Sequence, residues 1–141
     1  MQKALIAALL LTTLNACTSP YGNYAALPDA TNAQLADETA HELTVLYPPA
    51  STHLSLSQPV NDAYGMELVK RLREAGYAVQ DDDKETVPAA DTELLPISYT
   101  VDGISNGLYR ITLRASSQVL SRVYSATNDG FVPAGSWTRK E

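Results

Sequence analysis

The chain has 141 residues, room for one ordinary domain, and is acidic, with a formal net charge of -6 and a pI near 4.8. That balance argues against nucleic acid as a partner, because phosphate binding needs a basic face and releases counterions to it. Hydrophobic residues make up 45% and charged residues 18%, a globular composition rather than a disordered one.

Lys3 precedes an apolar run from Ala4 to Leu14, and no Asp, Glu or Arg occurs before Asp29. The run is shorter than the roughly 20 residues that span a bilayer, but it suits the central region of a secretory signal peptide. Leu14-Asn15-Ala16-Cys17 follows, and it resembles the lipobox of bacterial lipoproteins. Asn15 stands where that motif usually carries Ala or Ser. The resemblance implies cleavage between Ala16 and Cys17 and acylation of the Cys17 thiol. Residues 1–16 are then a signal peptide, and Cys17 becomes the first residue of the mature protein.

Other uses of the thiol are poorly supported. It is the sole cysteine, so a disulfide could form only between molecules. A nucleophile needs a base held beside it, and a metal site needs several ligands, whereas the chain offers two histidines. In bacterial lipoproteins, Asp directly after the cysteine favours retention at the inner membrane. Thr18 occupies that place, which implies the outer membrane.

Residues 17–30 hold Pro20, Gly22 and Pro28 with no hydrophobic period, and read as an extended tether. Tyr21, Tyr24 and Leu27 recur at three-residue spacing. They are either partner-binding anchors presented in an extended conformation or part of the domain's own surface.

A single periplasmic domain is expected over 31–141. Thr31 or Asn32 can cap a helix running to Tyr47, with Ala36, Ala40, Leu43 and Tyr47 along one face. Pro48-Pro49 ends it. Thr52 to Gln58 alternates as a half-buried strand, with Leu54 and Leu56 inward. Asp62 caps a second helix over 63–75, with Leu68, Val69, Leu72 and Ala75 apolar, and Gly76 stops it. Tyr77 to Gln80 is a short strand, so strand, helix and strand form a parallel unit. Asp81 to Glu85 opens a solvated loop that lacks the spacing of a calcium loop.

From Glu93 onward the pattern is all β. Strands are expected at 95–101, 108–115, 118–126 and 131–138, with a turn-rich connection at 102–107 and a tight turn at Asn128-Asp129-Gly130. From Gly103 on there are five basic residues against two acidic ones, while the earlier part is strongly acidic. The fold class expected is α+β: two helices packed on a small mixed, mostly antiparallel sheet, after a cleaved signal peptide and a tether.

His41, His53, Ser55 and Ser57 sit in no catalytic motif, and there is no P-loop, dinucleotide-binding glycine pattern or H-E-x-x-H. No enzyme activity, cofactor, metal or small-molecule substrate is expected. An enzyme would require His53 to converge with a serine or carboxylate in a cleft.

The lipobox together with SPYGNY at 19–24, LYPPAST at 46–52, LREAGYAV at 72–79, LYRITL at 108–113 and PAGSWTRKE at 133–141 resembles the TrbH-type conjugal transfer lipoproteins. That resemblance implies an outer-membrane component of a conjugative type IV secretion apparatus. It further implies assembly with TrbG-like and TrbI-like core subunits and attachment to the membrane through acylated Cys17. The alternative is an envelope lipoprotein that binds peptidoglycan or excludes a second plasmid.

Overall fold

The computed structural model describes residues 19–81, 89 and 91–141. Among these described residues two helices cover one face of an open, mixed sheet of eight strands, which is the α+β arrangement expected. Among the described residues no helix is long and apolar enough to cross a membrane.

The first strand, β1 (Gly22–Asn23), lies in the stretch read as tether. Helix α1 (Asp29–Leu46) follows, and begins two residues before the expected start. Its N-cap is Pro28, which makes no side-chain cap; the Thr31 and Asn32 N–H groups donate to the Pro28 carbonyl, both at 3.0 Å. Asp29 in the first turn complements the positive end of the helix dipole. Asn32 is buried inside the helix rather than capping it. Leu35, Ala36, Thr39, Ala40 and Leu43 complete the buried face, and the Pro48-Pro49 pair stops the helix as expected.

Strand β2 (His53–Leu56) buries Leu54 and Leu56. Helix α2 (Ala63–Glu74) is capped by Asp62, whose carboxylate accepts from the Gly65 N–H at 2.8 Å. Gly76 ends it at φ +98, a conformation that side chains resist. Leu68, Val69 and Leu72 are buried, whereas Ala75 is exposed. Strand β3 (Ala78–Gln80) then pairs in parallel directly beside β2.

Strand β4 (Leu94–Ser105) is the longest, because the expected turn at 102–107 is mostly strand. Asp102 pairs with Arg110 across the ladder, and the reversal is confined to Asn106 and Gly107, the latter at φ +72. Strands β5 (Leu108–Ala115) and β6 (Gln118–Thr127) follow antiparallel. The single terminal strand expected at 131–138 is two: β7 (Gly130–Pro133) and β8 (Thr138–Lys140). Both lie on the same edge of β6, and the Ala134 N–H donates to the Val123 carbonyl between them.

The opposite edge of β4 is also shared. β2 pairs with Leu94–Ile97 and β1 with Thr100–Val101, both parallel. In the gap the buried Gln58 side chain accepts from the Tyr99 N–H at 2.8 Å. The core lies between this sheet and the helices. Ile97, Tyr99, Val101, Ile111, Leu113, Leu120 and Tyr124 meet Leu35, Leu43, Tyr64, Leu68 and Leu72 there.

Candidate functional site

Ala16 and Cys17, the predicted cleavage and lipidation residues, lie outside the described residues, as do Asp82 to Glu85. From Ser19 onward the chain is held to the sheet and to α1. The Thr100 hydroxyl donates to the Pro20 carbonyl at 3.1 Å, and the Tyr24 N–H donates to the Val101 carbonyl at 2.8 Å. The Tyr24 hydroxyl folds back onto the carbonyls of Ser19 and Tyr21. Asn23 points to the helical side, where its amide donates to the Asn32 side-chain oxygen at 3.1 Å, and the Asn32 amide donates to the Leu27 carbonyl at 3.1 Å. The Asn23 side-chain oxygen also accepts from the Ala25 N–H, an Asx turn that bends the chain toward α1.

The stretch expected as tether is therefore, from residue 19 onward, an arm of the domain. Hydrogen bonds to β4 and α1 override its lack of hydrophobic period. The three anchors expected there are not equivalent. Leu27 packs against the core, Tyr21 is half-buried, and Tyr24 is 59% exposed. Gly22 takes φ +138, a conformation that side chains resist, and the Tyr24 ring lies beside it at ordinary van der Waals distance.

Behind the arm, three buried tyrosines join sheet to helices. The Tyr99 hydroxyl donates to Asp62 at 2.6 Å, so one carboxylate caps α2 and holds β4. Tyr64 packs edge-on against Tyr99, with ring centroids 5.1 Å apart, and its hydroxyl donates to Thr39 at 2.9 Å. The Tyr124 hydroxyl donates to Glu38 at 2.9 Å. Burial first, then the neighbouring carboxylates, push Tyr99 and Tyr124 far up; burial does the same to Tyr64. These phenols stay protonated and act as donors, which makes them fasteners of the fold.

Several clefts among the described residues gather polar side chains. One, at the start of β2 and β4, is lined by His53, Glu93, Ser51 and Ser116 among others. Among the described residues no hydrogen bond joins His53 to any of these three, so the nucleophile–base contact of a hydrolytic site is not built there. Another collects Asp37, Glu38, His41 and Glu42 against Trp137, with Arg122 among them. The Arg122 guanidinium meets Glu38 at 3.3 Å, donates to the Gly135 carbonyl at 2.9 Å, and lies over the rings of Tyr124 and Trp137. Within that acidic corner Glu38 is thus paired with the domain's own cation, and Asp37 faces Arg71 at 3.7 Å. No group of three or more potential ligands suited to a metal ion occurs among the described residues.

The sequence signal for the arm was modest: an Asn two residues before Ala25 marks a turn, but nothing local marks β1 as a strand. Nor does any local signal mark Gln58 as a connector, because its partner, the Tyr99 N–H, is 41 residues away in sequence.

The fold and site define a small α+β layer domain whose N-terminal arm, from Ser19 on, is stitched into the sheet. The family model for "Conjugal transfer protein TrbH" matches residues 18–141, and the chain belongs to that family. A protein of Sinorhizobium fredii (strain NBRC 101917 / NGR234), described as "Probable conjugal transfer protein TrbH", is 26% identical over 140 residues, covering 95% of this chain and 94% of its own. No solved structure matches. The role of this chain is in conjugal transfer.

Proposed function

We propose that the protein is a lipid-anchored scaffold of the conjugative type IV secretion apparatus. Acylated Cys17 holds it in the outer membrane, and the α+β domain works in the periplasm against TrbG-like and TrbI-like core subunits. The observation that carries this reading is the arm. Ser19 to Asn23 is bonded to β4 and α1 within a few residues of Cys17. Acyl chains on Cys17 would bind essentially without release, since each buried methylene contributes about 0.8 kcal/mol. With the arm docked, that anchoring would act on the folded domain with little slack, as a scaffold requires.

Deleting the gene in a donor strain and measuring plasmid transfer tests the reading. Transfer should collapse, return with the wild-type gene, and fail to return with Cys17→Ser, while core subunits co-purify with the detergent-extracted wild type. Normal transfer from the deletion strain, with easier acceptance of a second plasmid, would overturn it in favour of an exclusion role.

A further inference from the structure

Among the described residues one face of the sheet carries no helix, and the N-terminal arm at Ser19 and Pro20 lies on that face. Ladder register places Ser98, Thr100 and Asp102 of β4 on it, with Arg114, Thr112 and Arg110 opposite them on β5. Val119, Ser121 and Val123 continue these rows on β6, and Thr138 and Lys140 on β8. Gly22 pairs with Thr100 on this side. The Thr100 hydroxyl holds the Pro20 carbonyl there, and Tyr24, two residues on from Gly22, holds the Ser19 carbonyl. Cys17 is two residues before Ser19, so at 3.3–3.6 Å per residue its Cα lies within about 7 Å of that of Ser19.

Charge divides the same way. On the open face Arg110 is paired with Asp102 at 2.6 Å, whereas Arg114 and Lys140, exposed in one row, have no ion-pair partner among the described residues. On the far side of the domain, α1 carries Asp29, Asp37, Glu38 and Glu42 and no Lys or Arg, and α2 carries Glu67 and Glu74 against Lys70, Arg71 and Arg73, so the helical layer keeps an acidic excess. Val119 lies between Arg114 and Lys140 in that row, and the open face also offers half-buried Val123 and exposed Val132, which suit the headgroup boundary of a bilayer.

From the chain's exit side and this charge division we infer that the helix-free face lies flat against an anionic lipid surface, with the helical layer turned away toward partners. The inference rests on the acylation of Cys17. The acyl chains supply the attachment; Arg114 and Lys140 supply the orientation, which is electrostatic and therefore weakened by salt.

The test uses the mature acylated protein in vesicles of phosphatidylcholine with about a third phosphatidylglycerol. A fluorophore is placed through Thr112→Cys on the open face or Val45→Cys on α1, and nitroxide-headgroup lipid serves as quencher. Quenching should be strong at position 112 and weak at 45. It should decline at 112 in pure phosphatidylcholine, at high salt, and with Arg114→Glu/Lys140→Glu, while all variants stay with the vesicles. Equal quenching at both positions, or stronger quenching at 45, overturns the orientation alone. Shielding of 112 that needs the core subunits and not the lipid also overturns it and assigns the face to a protein. Failure of the wild type to partition into vesicles at all overturns both the orientation and the acylation reading.

Discussion

The side-chain oxygen of Gln58 accepts a hydrogen bond from the Tyr99 N–H at 2.8 Å, in the gap where the edge of β4 passes from β2 to β1. Without it a buried backbone donor would face no partner, which costs about 1–3 kcal/mol. Gln58→Met keeps the volume and removes the acceptor. Urea unfolding should show a loss of about 1–3 kcal/mol, and hydrogen exchange at Tyr99 should accelerate more than at Leu113, deeper in the sheet. Unchanged exchange at Tyr99 would show that another group satisfies the donor.

Gly65 lies in the first turn of α2, where propensity alone favours Ala by about 1 kcal/mol. A Cβ there would stand 1.9 Å from the Tyr99 hydroxyl oxygen, the atom that donates to Asp62. Gly65→Ala should therefore destabilise the domain by about 1–3 kcal/mol, the opposite sign to propensity. The melting temperature decides the sign.

The tyrosines set the alkaline limit of the fold. Burial pushes Tyr77 up to about 12, and Tyr64, Tyr99 and Tyr124 move up as well. An unfolded phenol ionises near pH 10, so the folded state holds protons that the unfolded state releases above that pH. The stabilisation is complete below about pH 10 and is lost as pH rises through the folded values, at about 1.4 kcal/mol per pH unit for each such group. Denaturant unfolding between pH 8 and pH 11.5 should show a plateau and then a steep fall. Tyr77→Phe should make that fall shallower; a curve flat to pH 11.5 would contradict this.

Asn32 is 2% exposed and ties the arm to α1 through Asn23 and the Leu27 carbonyl. Asn32→Leu removes both bonds, so proteolysis within 19–27 should become faster while the rest of the domain stays resistant. Global stability should fall by about 1–3 kcal/mol. Resistance equal to wild type would mean that β1 and Tyr24 hold the arm unaided.

The helices and the parallel unit were legible in the sequence because their signals are local. Leu54 and Leu56 alternate, Asp62 caps, and Gly76 and Pro48-Pro49 stop the helices. The arm was not legible, since Gly22 and Asn23 make a strand only by borrowing the edge of β4 some eighty residues away. The same holds for 102–107, where turn-forming residues yield to pairing of Asp102 with Arg110 and Gly103 with Tyr109. Tyr24 kept the exposure expected of an anchor, while Leu27 was claimed by the core.

Intact mass spectrometry of the mature protein, extracted in detergent from the envelope of its host, tests the central claim most directly. The account predicts a chain that begins at Cys17 and carries a thioether-linked diacylglycerol and an amide-linked acyl chain. A mature chain that begins elsewhere, or that retains a free Cys17 thiol, would contradict it.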